Sequence, residues 1–493
     1  MTMRQDLRYK VSVTAGTLVI FILLILPSVC LAQTADLRAT SNSTKSPATQ
    51  PATQTTQNDT ASSSSAPNGA AADSAVSTSP DPGTGTGSPT PGQTTSKTGP
   101  TPSTGFTGRF GEFVRNAPIR DSFVTVDLAG KYIKGVVGGF QQGASLGFGL
   151  QFSTADLIKP VEFRAWLLTS PLWYRRFEGE AYIPKVFDSN THADIWFDYL
   201  FRREDNFFGI GPTTPHTSQT DFALEQRSYN ATIYHNFTRH LQVGGYVSVA
   251  NTSTYPGEAD NKIPSTDVFS GNPNVVPITL WAPGLQQNTK LLFYGGFAEW
   301  DLRNNNVGLT RGAYFYARVG STQGLTERRV FSDYGWLEGV FDVRGYIPLG
   351  SNRTSLALRG FAWLEGPRGG SQIPFYDLAI LGGRLYNPGF QNYRFRANNA
   401  VLFQAELRQT VWRQREDRGL DVFGLGAVGQ VWGDNRSNTN PVVLRNNGFD
   451  SSFWRSAIGG GVQYRYNRNF AARIEIAHSN ERTLVLGSVT RGF

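Results

Sequence analysis

Apolar and polar residues alternate one by one in run after run of this chain, and that period of two constrains its fold more than any other feature. Phe470, Ala472, Ile474 and Ile476 fall on one face of such a run, and Ala471, Arg473 and Glu475 on the other. Ile195, Phe197, Tyr199 and Phe201 oppose Asp194, Asp198 and Arg202, while Leu241, Val243, Val247 and Val249 oppose Gln242, Tyr246 and Ser248. Ala298, Trp300 and Leu302 alternate with Glu299, Asp301 and Arg303, and Val401, Phe403, Ala405 and Leu407 with Leu402, Gln404, Glu406 and Arg408. Side chains that switch faces at every residue belong to strands. A single run of this kind would suit a soluble sandwich equally well. Its repetition, with no convincing amphipathic helix between the runs, predicts a wall with lipid on one side and water on the other.

The N-terminus supplies the route to a membrane. Arg4, Arg8 and Lys10 precede an apolar stretch from Val11 to Leu31, Pro27 interrupts it, and Cys30-Leu31-Ala32 before Gln33 offers a small-residue cleavage site. Residues 1–32 read as a secretory signal peptide; a single-pass anchor is the alternative, because the apolar run is nearly long enough to span. Cys30 is the only cysteine, and Val29 before it is a poor match to a lipidation site. Cleavage after Ala32 therefore leaves no disulfide, thiol chemistry or cysteine metal site. The net charge is +8, of which the signal, with its three basic residues and Asp6, contributes +2, leaving a mild +6. No basic block of the kind that binds nucleic acid is present, and no nucleic-acid partner is expected. Aromatic residues make up 13% and glycine counts 53, mean hydropathy is negative, and no hydrophobic helix follows the signal. A closed barrel is the remaining way to cross a bilayer with every backbone group paired.

Residues 33–105 consist of Ser, Thr, Pro, Gly, Ala and Gln with almost no aromatic or branched apolar side chain. Such a segment cannot bury enough surface to offset its chain entropy, and it is expected to be a disordered linker, serving as a tether or a periplasmic contact. The expected fold class is all-β: a transmembrane antiparallel β-barrel over residues 106–493, of about sixteen strands at roughly 24 residues per strand and loop. Polar stretches at 257–288 and 435–451 read as longer extracellular loops, and Trp173, Tyr174 and Trp412 fit interfacial girdles.

Chemistry-bearing residues are sparse. The five histidines, His192, His216, His235, His240 and His478, are scattered, and the spacing of His235 and His240 suits neither one strand face nor a helical metal pair. Glu299, Asp301, Glu406 and Glu475 are carboxylates of the polar face, which barrel interiors carry as a rule. No phosphate loop, nucleophile elbow or nucleotide fingerprint occurs. Neither an enzymatic activity nor a cofactor or metal is expected.

Several local patterns, taken in order, carry a resemblance. Asp205-Asn206-Phe207-Phe208-Gly209-Ile210-Gly211 is one; Trp300-Asp301-Leu302-Arg303 followed by Thr310-Arg311-Gly312-Ala313-Tyr314 is a second. The third comprises Leu381-Gly382-Gly383, Gly389-Phe390, Arg394-Phe395-Arg396 and Ala405-Glu406-Leu407-Arg408. Together they resemble the BamA/TamA superfamily of outer-membrane assembly and translocation barrels, also called bacterial surface antigens. The resemblance implies that Gly382 and Gly383 open a sixth extracellular loop that folds into the lumen. In the family, the loop tip carries Arg-Gly-Phe or Arg-Gly-Tyr, and the arginine grips lumenal carboxylates through a bidentate contact. Here Pro388 stands before Gly389-Phe390, so that clamp has no cation. Glu406 keeps the first expected acidic partner, and Ala427 occupies the place of the second. Arg384 and Arg394 are the candidates to substitute for the missing arginine. A literal Leu358-Arg359-Gly360-Phe361 lies before the double glycine within an alternating run, where a transmembrane strand is expected instead.

The resemblance also implies that a terminal aromatic, here Phe493, is the signal read by outer-membrane assembly machinery. Arg491 interrupts its stripe of Val485, Gly487 and Val489. The periplasmic POTRA modules or patatin-like lipase of many family members find no room between the signal and Phe106, so a member lacking POTRA modules is expected. Two functions remain open. One is assistance to the insertion or translocation of outer-membrane components, by lateral strand opening or bilayer thinning. The other is a passive pore or structural surface antigen. Expected partners are outer-membrane lipid and lipopolysaccharide, the assembly machinery during biogenesis, and a periplasmic partner reached through the linker.

Overall fold

In the structure, a computed structural model, residues 123–129, 132–139, 146–154, 160–304, 311–325, 334–350, 353–415, 418–434, 448–465 and 471–490 are described. The signal, the linker, Arg491 and Phe493 lie outside them. The strands in chain order are β1 (Phe123–Ala129), β2 (Ile133–Gly139), β3 (Leu146–Ser153), β4 (Glu162–Thr169), β5 (Arg175–Ile183), β6 (Thr191–Phe207), β7 (Thr220–Asn236) and β8 (Leu241–Pro256). There follow β9 (Ile263–Pro264), β10 (Asn288–Asp301), β11 (Gly312–Gly324), β12 (Gly335–Pro348), β13 (Thr354–Pro367), β14 (Ala379–Leu381) and β15 (Phe395–Ala397). The last five are β16 (Asn399–Arg413), β17 (Gly419–Trp432), β18 (Arg455–Arg465), β19 (Ala471–Ser479) and β20 (Thr483–Thr490).

Each long strand pairs antiparallel with the next, forming one 18-stranded sheet from which β14 and β15 stand apart as a separate hairpin. The two-residue β9 is a parallel offshoot of β7, which leaves a meander of seventeen. Because seventeen is odd, β1 and β20 run in the same direction. The sixteen strands expected from chain length are those from β2 onward, and β1 is the one in excess. Among the described residues the ladders run unbroken from β1 to β20 and do not close the ring between them.

The two faces have the polarity of a membrane barrel. On β19, Ile474 and Ile476 are 59% and 55% exposed while Arg473 and Glu475, which alternate with them, are 6% and 1% exposed. The same inversion separates Ile195 from Asp194 and Asp198 on β6, and Leu407 from Glu406 and Arg408 on β16. Charged residues inside and aliphatic residues outside are stable only where the outside is hydrocarbon. Val485 of β20 faces outward opposite Ile476, as the stripe of Val485, Gly487 and Val489 requires. Trp173 and Trp412 are exposed at opposite ends of the wall, as interfacial anchors are. Tyr174 does not join them: it is buried, and its hydroxyl donates to the Glu204 carbonyl at 2.9 Å, because the tight turn between β4 and β5 directs it inward.

The core lies within the lumen; besides a small cluster of Val136, Trp166 and Leu168, it has two larger apolar clusters. One gathers Phe207, Phe222, Phe269, Leu285, Trp336 and Phe375 with their neighbours; the other centres on Leu381, Phe390, Phe395 and Leu402. Residues 257–287 form a long connection, as their polarity predicts, and part of it turns into the lumen. Phe269, Ala282 and Leu285 fold inward into the cluster of Phe207 and Phe375, and Trp281 is buried with its indole N–H donating to the Gly271 carbonyl. Ile474→Arg, which puts a cation on the lipid face, should destabilise the barrel by about 2–4 kcal/mol if Ile474 lies near the midplane. Denaturant titration of the protein folded in lipid vesicles measures this; an unchanged midpoint would mean that this face does not contact hydrocarbon.

Candidate functional site: a loop folded into the lumen

The connection between β13 and β16, residues 368–398, does not rise away from the barrel. Its course is set by backbone conformations that few residues accept. Gly382 and Gly383 have φ of +115° and +84°, and a Cβ on Gly382 would lie 2.3 Å from the Gln391 carbonyl oxygen. The double glycine is thus a steric requirement of the turn. From it the chain doubles back: the Gly383 N–H donates to the Phe390 carbonyl at 2.8 Å, and the Tyr386 N–H to Gly383 at 3.0 Å. Asn387, at φ +100°, makes the second sharp turn, and its side-chain amide donates to the Arg455 carbonyl at 2.8 Å.

The tip reaches the far wall. Ser479 Oγ donates to the Gly389 carbonyl at 2.7 Å, and a Cβ at Gly389 would stand 2.4 Å from that of Ala457, so β18 and β19 admit only glycine there. Phe390 is fully buried and meets Phe395 edge-on at 5.6 Å. On the opposite side, Tyr393 accepts from Arg202 of β6 at 3.3 Å and Thr289 of β10 bonds the Tyr376 hydroxyl. The loop consequently bridges walls on both sides of the lumen. Burial pushes the Tyr393 phenol up to about 12, with Asp205 adding to the effect, so it stays neutral. Burial pulls Arg396 down to about 10 against the opposing pull of Asp205, which leaves it cationic at neutral pH.

Glu406 is placed differently from the expectation. It projects into the lumen, fully buried, but no loop arginine reaches it: its two oxygens are taken by wall residues, Arg408 of β16 and Arg473 of β19, the latter at 2.8 Å. The neighbouring strands supply the cations that the loop tip lacks. Pro388 and Arg384 instead line a cavity of about 30 Å³ together with Arg344, Arg359, Gln404 and Arg473. Arg359 does belong to a transmembrane strand, β13. From there it still reaches the loop: Nη1 donates to the Leu385 carbonyl at 2.7 Å while Nε and Nη2 hold Asp342. The contact seen is thus the reverse of a loop-borne latch, with the arginine on the wall and the acceptor on the loop.

Arg394 makes the strongest polar contact between loop and barrel. Its Nε and Nη2 pair with both oxygens of Glu481, in the turn between β19 and β20, at 2.7 and 2.8 Å. Nη1 and Nη2 also donate to the Thr214 hydroxyl and carbonyl at 3.1 and 2.7 Å, and the guanidinium lies over the rings of Phe395 and Phe208 at 4.3 and 4.8 Å. A planar fork with five donors suits this arrangement, which lysine could not reproduce. Thr214 follows the Asp205–Gly211 segment, and the Gly211 N–H donates to the Arg396 carbonyl at 2.7 Å. The first and third sequence patterns therefore meet at one joint. The second forms a separate bracket at the opposite end, where Arg303 pairs with Asp301 at 2.9 Å and stacks on Tyr314 at 4.4 Å. Glu481, Thr214 and Asn387 were not singled out in the sequence; only the order of the three patterns hinted that distant segments converge. Among the described residues no group of three His, Cys, Asp or Glu is placed to hold a metal.

The wall of antiparallel strands has a counterpart among solved structures. BamA from Haemophilus ducreyi, in a form lacking POTRA domains 1–3, superposes with a TM-score of 0.53 over 74% of this chain and 74% of that one, at 12% identity. The fold is that of a BamA-type β-barrel. CdiB from Escherichia coli follows, at a TM-score of 0.46 and 10% identity, covering 75% of this chain and 64% of its own. CdiB from Acinetobacter baumannii gives 0.43 and 9%, covering 73% and 57%. No protein-family model and no curated protein matches the sequence.

In this BamA-type barrel, Arg394→Met should cost about 3–5 kcal/mol, because it leaves the largely buried Glu481 without its cation. Adding Glu481→Leu should recover part of that loss, and limited proteolysis should cut residues 368–398 faster in the single variant than in the double. Equal protection of wild type and Arg394→Met would show that the pair does not hold the loop.

Proposed function

We propose that this chain is an insertion- or translocation-type barrel of the bacterial outer membrane, which keeps its lumen occupied by its own loop and acts on the bilayer beside its seam. The observation that carries this reading is the fall in strand length around the wall. β6 and β7 have 17 residues each. Toward one edge, β5 has 9, β4 and β3 have 8, and β2 and β1 have 7. Toward the other, β18 has 11, β19 has 9 and β20 has 8; the lengths of β1 to β3 and β18 to β20 are those among the described residues. At ~3.3 Å per residue and a tilt of ~40°, eight residues give a height of roughly 20 Å, whereas an outer-membrane apolar band is ~25 Å tall and seventeen residues exceed it. A bilayer matching the short side must thin locally, and thinning lowers the barrier to inserting polar segments.

Two features support the same reading against a passive pore. The loop fills the long-loop end of the lumen from β6 to β19, and the described ladders leave the edges β1 and β20 unzipped from each other. An open pore has no use for either. On this reading the linker at residues 33–105 lies in the periplasm, where it can reach a partner, and lipid, lipopolysaccharide and the assembly machinery are the contacts of the barrel itself.

The test is the folding of an unfolded outer-membrane barrel into liposomes that already contain this protein. Acceleration of several-fold over empty liposomes is expected in long-chain lipid, and much less in short-chain lipid, where the bilayer already matches the short strands. No acceleration in either lipid, together with a steady single-channel conductance in planar bilayers, would replace this function with that of a passive pore.

A further inference from the structure

On the outer wall of β5, β6 and β7 the outward residues pair in rows: Ala181 with Ile195 and Ala231, then Gly179 with Phe197 and Tyr229. The next rows toward the long-loop end are Phe177 with Tyr199 and Arg227, and Arg175 with Phe201 and Glu225. The wall therefore turns from apolar to charged within two rows, and Arg175 and Arg227 are both exposed. The Arg227 guanidinium lies over the Tyr199 ring at 6.0 Å and pairs with Glu225 at 2.7 Å. Arg175 lies over Trp173 at 6.0 Å and has no carboxylate partner among the described residues; Glu204, nearer the loop end of β6, is not in ion-pair contact with it. Exposed Trp173, Phe177 and Tyr229 surround the two arginines, as aromatic residues do at headgroup depth. Beneath them an apolar furrow crosses β4 to β8, lined by Phe163, Ala181, Ile195, Tyr229 and Val247. A Cβ on Gly179, within the furrow, would meet nothing within 4 Å.

We propose, on the reading that the barrel stands in the outer membrane with its long loops outside, that this face binds one lipopolysaccharide molecule. Arg175 and Arg227 hold the phosphorylated headgroup, and the furrow takes an acyl chain. Cations at headgroup depth attract anionic lipid, and a guanidinium fork matches phosphate oxygens in a way an ammonium does not. The two arginines lie two strands and one row apart, about 12 Å between Cα atoms at ordinary sheet spacings. Their long side chains can converge on one headgroup while their stems stay against the aromatic rings. Glu225 opposes this approach on the Arg227 side, which leaves Arg175 as the stronger anchor. A phospholipid of the inner leaflet carries its phosphate at the other end of the wall.

Titration of the full chain, refolded in neutral detergent, with lipopolysaccharide truncated to its phosphorylated lipid and inner sugars tests this, bound lipid being counted by native mass spectrometry. Joint Arg175→Gln and Arg227→Gln should weaken binding about tenfold, and removal of the phosphates from the lipid should weaken its binding to the wild type by a similar factor. Glu225→Gln should tighten it, and Ala181→Trp, which fills the furrow without changing charge, should weaken it. Arg413→Gln, at the opposite end of the wall, should have no effect. Joint Arg175→Lys and Arg227→Lys should keep part of the affinity, which separates lost charge from lost folding, and heat-modifiable migration checks that each variant is folded. Equal binding by the wild type and the double Gln variant would overturn the proposal. Phosphatidylglycerol binding as tightly, with the same response to the substitutions, would make the face a general anionic-lipid contact and overturn it equally. The folding assay for insertion activity runs in liposomes free of lipopolysaccharide, so either reading can fail while the other stands.

Discussion

Backbone amides and carbonyls in hydrocarbon have no water to fall back on, and in this chain they are satisfied strand to strand. From that pairing the rest follows. A wall of antiparallel strands presents alternate residues to its two sides, so an outer face of Ile195, Leu407, Ile474 and Val485 brings with it an inner face of Asp198, Glu406, Arg408 and Glu475. These charges sit close together in a space with little water, and they persist because neighbouring strands carry opposite signs in register. Asp342 between Arg344 and Arg359, and Asp421 against Arg465, are pairs of this kind. The lumenal loop fits against such a wall by offering mostly backbone carbonyls and aromatic rings: Leu385 and Gly389 accept from wall side chains, while Phe390 and Tyr386 pack.

The wall was legible in the sequence because its signal is local. Alternation in 195–201, 241–249, 298–303 and 470–476 needs only a window of a few residues, and each run lies in a strand with the faces assigned as read, save Phe470, Leu302 and Arg303, which fall outside the described strands. The loop was partly legible, since Gly382 and Gly383 answer to a backbone requirement that shows in composition. What holds it was not. Arg394 and Glu481 are 87 positions apart, and Arg394 and Thr214 are 180 apart; Arg394 stands out as a candidate, but nothing near Glu481 or Thr214 marks either as its partner until the wall curves and brings the ends together. Arg359 was read correctly as a strand residue, yet its reach to Leu385 depends on how far the loop descends. The segment 257–287 is a long connection, as its polarity predicts, but its inward fold was hidden for a related reason. Its polar residues dominate by number, but Phe269, Trp281 and Leu285 decide its position by the area they bury.

Strand length and loop position share a geometry. The longest strands, β6 to β8, also supply the partners of Tyr393, Gly284 and Phe375, so the tall side of the wall and the apolar cap are one structure. The short strands carry fewer such contacts and are held chiefly to one another. Rigidity is concentrated opposite the edges β1 and β20, where the chain is thickest and best packed.

The joint between Arg394 and Glu481 also sets an order in time. Arg394 emerges with the loop, whereas Glu481 belongs to the turn that follows β19, and four long strands separate the two in the chain. Until the β19–β20 hairpin is in place, the loop has no carboxylate to grip at that position. Closing the lumen is therefore a late event in the life of the molecule, and a loop already locked reports that its last hairpin has arrived.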